Sequence, residues 1–244
     1  MKRLFTAALF SFLILSFTSD GWAQAPSREA VLQEIQVKRA ELQALEKLFL
    51  RPSEEDRAAY AEFLRQPDTG LIRLLPREVY DSEAYKKNNK TLTIRGGGAY
   101  YSFTRLTHEY GYGSDIELDS GYVSVGFAGA DYGMLTTLAD VPLDEITLEH
   151  PSVRFMSAYS VPSEEPKARL EYRRFATGTT IDGAVYKTRQ PVEVKSTYLL
   201  RSINYSTADV LVAFRVVRKD TDDSVIIAWK LLKKYPKPEL ARNN

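Results

Sequence analysis

The chain has no cysteine among its 244 residues. Disulfides, thiol nucleophiles and zinc–thiolate sites are excluded together. Histidine is nearly as scarce, with only His108 and His150 to carry imidazole chemistry. After residue 17 there is no apolar run long enough to cross a membrane, so the chain is not expected to be an integral membrane protein. Several catalytic signatures are missing as well. No Gly-x-Ser-x-Gly elbow, phosphate loop, dinucleotide fingerprint or EF-hand loop is present, and Gly96-Gly97-Gly98 leads into no Lys-Ser/Thr and no helix.

A net charge of either sign is absent too. Removing Lys2, Arg3 and Asp20 with the leader described below takes 33 basic and 32 acidic residues to 31 of each. The distribution is uneven: residues 91–150 hold 2 basic and 9 acidic residues, whereas residues 151–244 hold 17 and 10. Two parts of opposite sign neutralise each other within one body, which argues against nucleic acid as a partner.

What is present begins with Lys2 and Arg3 followed by apolar residues from Leu4 to Phe17. This is the pattern of a cleavable secretory leader, with cutting expected after Ala23 (an uncleaved anchor is the alternative). The product is then periplasmic or extracellular. The expected organisation is a leader (1–23), an N-terminal helical hairpin (24–70), a β-rich domain (71–235) and an extended, solvated tail (236–244).

Leu32, Ile35, Leu42, Leu45 and Phe49 recur at three- and four-residue spacing, which predicts an amphipathic helix over 28–50. Ser27 is placed to cap it and Pro52 to end it. Ser53 and Asp56 then make a capping box for a second, shorter helix. The apolar stripe is expected to pack on the chain's own sheet. A coiled-coil dimer is the other possibility, with fewer than four clean heptads to support it. Gln66 to Gly70 reads as a loop.

From Thr91 the apolar period becomes two. Ser120-Gly121 predicts a tight hairpin that pairs Leu118 with Val123, Glu117 with Ser124 and Asp119 with Tyr122. A second hairpin joins Val210–Arg218 to Ser224–Leu232. Pairing Val217 with Val225 would put Leu211 and Ala213 on one face with Ile227 and Trp229. Both its faces are apolar and need cover, one from a second sheet and one from the N-terminal helices. Strands are also expected at 153–159, 168–175, 184–187 and 192–201. The fold class is therefore mainly β: an antiparallel β-sandwich or partly closed barrel preceded by the helical hairpin.

Between Gly96 and Gly133 lie 9 of the 13 glycines. They mark bends and bulges, or places where a ligand comes close to the backbone. Tyrosines crowd the same region, including Tyr80, Tyr85 and Tyr132, and their flat faces and polar tips suit stacking on sugars or peptides. Tyr100, Tyr101, Arg105, Tyr110 and Tyr112 are accordingly the candidate ligand-binding residues. Asp115, Glu117 and Asp119 share one face of a strand and repel unless neutralised. Ca²⁺ would do that, as would arginine or solvent.

These features support a non-catalytic binding or envelope-assembly module that meets a polysaccharide, peptide or envelope component. A secreted hydrolase, metal-assisted or not, with a site near His108 and Asp115–Asp119 is the alternative, and a structural envelope protein a third. No cofactor other than Ca²⁺ is suggested.

Overall fold

The computed structural model describes residues 26–81, 90–111, 113–127 and 129–241. The expected leader lies outside the described residues. The chain divides into two units, Met1–Leu42 and Gln43–Asn244. Among the described residues no helix is long and apolar enough to cross a membrane.

Local chemistry sets the helices at the start. α1 (Arg28–Phe49) begins where the Ser27 hydroxyl accepts the Ala30 amide at 3.2 Å. After Pro52, the Ser53 and Asp56 side chains each accept the other's backbone amide at 3.1 Å and open α2 (Glu54–Ala59). Both caps fall where the sequence places them. Leu32, Ile35, Leu42, Leu45 and Phe49 of the apolar stripe are all exposed, although the Phe49 ring lies 5.7 Å from that of Tyr80 and 5.5 Å from the Arg73 guanidinium.

β1 (Thr69–Leu74) starts inside the stretch read as a loop. It is an edge strand whose backbone hydrogen bonds come from a partner 151 residues away, Leu74 opposite Val225, which local composition does not reveal. Gly70 is required here because the Trp229 indole lies against it. A Cβ at residue 70 would sit 2.5 Å from Nε1, the one buried side-chain polar atom without a partner among the described residues.

The chain continues through α3 (Arg77–Tyr80), β2 (Tyr100–Tyr101), β3 (Ile116–Asp119), β4 (Tyr122–Ser124) and β5 (Tyr132–Thr137). α4 (Arg154–Ala158), α5 (Glu165–Thr177), β6 (Thr179–Ile181), β7 (Ala184–Tyr186) and β8 (Arg189–Pro191) follow. β9 (Thr197–Asn204), β10 (Ala208–Lys219) and β11 (Val225–Lys234) complete it.

The fold is mainly antiparallel sheet with an N-terminal helix. Five strands in the order β1-β11-β10-β9-β5 form one sheet, β2-β3-β4-β8 a second, and β6-β7 a small ribbon. Neither larger sheet closes into a barrel among the described residues. The β3–β4 hairpin has the expected register, Leu118 opposite Val123 and Glu117 opposite Ser124. Ser120 and Gly121 turn it with φ of 51° and 76°, the left-handed pair that a two-residue hairpin needs.

Two cores flank β10 and β11. One joins Val212, Phe214, Val216, Ile227 and Trp229 to Ile116, Leu118, Val123 and Val125 of the smaller sheet's region. The other joins Leu211, Ala213 and Ala228 to Phe63, Val153, Met156, Ala168 and Phe175. Both faces are covered, as expected, but three details differ.

First, Val217 is bulged: Val225 pairs with Lys219 instead of Val217, and Ile227 with Val216 instead of Arg215. The one-residue slip exchanges the faces of β10. Second, 154–158 and 165–177 are helices, not strands. Ala168, Glu171 and Phe175 repeat at helical spacing and Pro166 stands in the first turn. These helices share the cover of this face with Tyr60, Phe63 and Leu64 from the expected N-terminal hairpin. Third, the described part of the tail, exposed at Pro236, Lys237, Glu239 and Ala241, is nevertheless tied to the domain. Pro238 accepts the Ser206 amide at 2.8 Å, and the Ala241 amide donates to Ser163 at 2.7 Å.

Candidate functional site

The glycine run answers the question of what approaches it. Gly96, Gly97 and Gly98 all have positive φ, and a Cβ on Gly97 would sit 2.4 Å from the Tyr80 carbonyl carbon. The chain's own backbone closes on this glycine. Gly97→Ala therefore combines left-handed strain with overpacking and is expected to cost about 2–4 kcal/mol. Gly121→Ala has a similar φ but nothing within 4 Å, and should lose only about 1 kcal/mol. Denaturant unfolding of both variants checks the difference. Equal losses would mean that the contact with Tyr80 plays no part.

Folding back at these glycines forms one wall of a cleft of about 890 Å³. Its lining comes from Arg77 and Asp81, the 91–96 loop, Tyr100, Tyr110, Glu117 and Phe127. Along the wall four side chains adjoin in sequence, the two tyrosine rings tilted at 52° to one another. The Arg77 guanidinium lies 5.9 Å from the Tyr100 ring, the Tyr100 and Tyr110 rings are 4.6 Å apart, and Arg95 lies 4.9 Å from Tyr110. Phe127 meets Tyr100 edge-on at 5.3 Å. The tyrosine faces are thus occupied by the chain itself, which leaves hydroxyls, guanidinium edges and the threonines to face the cleft.

Glu117 is the hub of the floor. It accepts from Arg77 at 3.0 Å, from the Tyr100 hydroxyl at 2.5 Å and from Ser124 at 3.1 Å. Burial, and then the bond to Glu117, push the Tyr100 phenol well above its usual range, so it stays a neutral donor. Arg77 also meets Asp81 at 3.4 Å and is neutralised on both sides. Arg95 differs. It is exposed, it is one of the two basic residues in 91–150, and among the described residues no carboxylate lies within ion-pair distance.

The structure separates the other candidates. Tyr101 is in the core, ringed by Phe103, His108 and Trp229. Arg105 is exposed and does not line the cleft. Tyr85 and Tyr112 lie outside the described residues. Among the described residues Asp115, Glu117 and Asp119 are not grouped so as to hold a metal together. Asp115 is fully buried and accepts the Phe103 amide at 2.8 Å and the Asn204 side-chain amide at 3.1 Å. Glu117 is held by Arg77, the arginine form of neutralisation. Among the described residues no group of three or more His, Asp or Glu side chains is placed to hold a metal.

His108 does not meet a carboxylate either. Its Nε2 lies 2.9 Å from the Arg73 carbonyl, to which it donates, and its ring packs against Tyr101 at 4.9 Å. Burial pushes the imidazole down to about 4 despite that backbone contact. A ring neutral at physiological pH and fixed on a backbone oxygen is a packing element.

Arg77, Arg95 and Phe127 had no pattern to announce them, apart from the isolation of Arg95 in an acidic segment. A polar cleft with a cation that has no carboxylate partner among the described residues can hold a hydroxyl-bearing ligand by hydrogen bonds and charge. No protein-family model, curated protein or solved structure matches the chain.

Proposed function

We propose that this chain is an exported, non-catalytic binding module whose cleft holds a segment of polysaccharide. The Arg95 guanidinium, which has no carboxylate partner among the described residues and lies beside a hydroxyl-lined wall, carries the reading. Donors in a fixed fork suit adjacent sugar oxygens, and a cleft of about 890 Å³ falls in the size range of ligand sites. Export is argued from the charged and apolar leader. We further read the two larger sheets as facing one another in a sandwich, on the strength of the core they share.

The test is retention of the purified chain on a panel of insoluble polysaccharides. Arg95→Ala removes an exposed side chain and should lower affinity about tenfold or more, the worth of a charge-assisted hydrogen bond. Tyr172→Ser, on the exposed side of α5, should change nothing. Retention by no polysaccharide, or retention indifferent to Arg95→Ala, defeats the reading.

A further inference from the structure

We propose that α1 is the seam of a parallel, two-stranded homodimer. Val31, Leu32, Ile35, Val37 and Leu42 are each at least 40% exposed. A helix with its apolar face uncovered gains little from its own hydrogen bonds, because most helical stability in water comes from packing such a face. Large uncovered apolar surface marks an interaction site.

The pattern selects the occupant. Val31, Ile35, Lys38 and Leu42 follow one another at spacings of four, three and four, the alternation of heptad core positions d, a, d, a. Glu34 and Arg39 then fall at the flanking g and e positions. These same six residues line a groove of about 340 Å³ along the helix. In a parallel pair each g position meets the e position five residues on in the other helix, so Glu34 faces Arg39 of the second copy, twice. An antiparallel pair would set e against e and g against g, arginine on arginine and glutamate on glutamate. At this layer charge therefore favours two parallel copies; the next g–e pair, Glu41 with Glu46, is like-charged, but Glu41 already pairs with Lys38 and Glu46 accepts from the Thr93 amide and hydroxyl.

Lys38 fits the seam without leaving a buried charge. Its ammonium already bonds Glu41 of the same helix at 3.0 Å, so the stem can lie in the seam while the head stays at the rim. A lipid surface is the poorer occupant. Residues 28–42 carry Arg28, Lys38 and Arg39 against Glu29, Glu34 and Glu41, not the basic face that membrane-surface helices present.

The experiment is sedimentation of the purified chain from about 1 μM to about 1 mM, a range that brackets a short, weak seam. The expected result is a reversible rise to twice the monomer mass. Glu34→Arg should weaken the dimer about tenfold by turning both flanking pairs repulsive. The exchange Glu34→Arg with Arg39→Glu should restore it, which a merely unfolded helix would not do. Because the chain has no cysteine, Val31→Cys at the end of the seam provides an orientation probe, since an in-register parallel pair brings this position beside itself for a disulfide whereas an antiparallel pair centred on the groove sets it against the far end. A monomer throughout the range, a dimer indifferent to Glu34→Arg, or a Val31→Cys dimer that fails to cross-link overturns the proposal.

Discussion

Replacing Arg201 by methionine is expected to destabilise the protein by about 3–5 kcal/mol and to lower its melting temperature by about 6–20 °C. Arg201 is only 2% exposed. Its guanidinium grips Asp209 with two bonds, Nε to Oδ1 at 3.0 Å and Nη2 to Oδ2 at 2.8 Å. Nη1 donates to the carbonyls of Met156 at 2.5 Å and Tyr159 at 2.9 Å. The Tyr235 ring covers the cation at 3.8 Å. One side chain thus ties β9 to β10, to the end of α4 and to the docked tail.

Methionine replaces the volume but none of the donors. It leaves the Asp209 carboxylate buried and unpaired, the costly outcome of breaking such a pair. The double variant with Asp209→Leu should recover much of the loss, since removing both charges spares the orphaned one. Urea unfolding of the two single variants and the double one measures this coupling. Strict additivity of the single losses would show that the pair is not a unit.

The second large effect depends on pH and belongs to Asp115. Burial raises its carboxyl from 3.8 to about 7, against the bonds from Ser202, the Phe103 amide and Ser102. The folded pKa lies above the unfolded one, so the folded state binds the proton more tightly. Stability from the protonated acid is complete below about pH 3.8 and is lost as pH rises to about 7. The full span, about three pH units, is on the order of 4 kcal/mol.

Asp115→Asn cannot ionise, and its remaining oxygen can still accept the Phe103 amide. Its NH2 must face the Asn204 amide, which imposes a constant loss at every pH. Relative to the parent, the variant should therefore gain on the order of 4 kcal/mol between pH 4 and pH 8. Unfolding free energies of both proteins across that interval test it. Parallel curves would mean that Asp115 keeps one protonation state throughout.

These residues show where linear reading stops. The serine caps of α1 and α2, the Ser120-Gly121 hairpin and its register were legible because each is settled within a few residues by backbone hydrogen bonds or by turn geometry. So was the need to cover both faces of β10 and β11, since their side chains are apolar on both. The alternation of charge and apolar groups in 168–175 is compatible with a strand. As a helix it places Ala168 and Phe175 in the second core, and Pro166 in its first turn marks the start.

The register of β10 turned on one bulged residue, Val217, whose place depends on how strands on either side pack. The glycine cluster was visible, but not that the backbone at Tyr80 would be its neighbour. The cleft is the extreme case. Arg77, Arg95, Tyr100, Tyr110, Glu117 and Phe127 come from five separate segments, and the contact that occupies the tyrosine faces exists only once those segments meet. What the sequence determined by itself is what neighbours along the chain can enforce: caps, tight turns and the apolar period. Which charges are paired, which rings are covered and which cation is left open were decided by the tertiary structure, because those contacts join residues that only folding brings within a few ångströms.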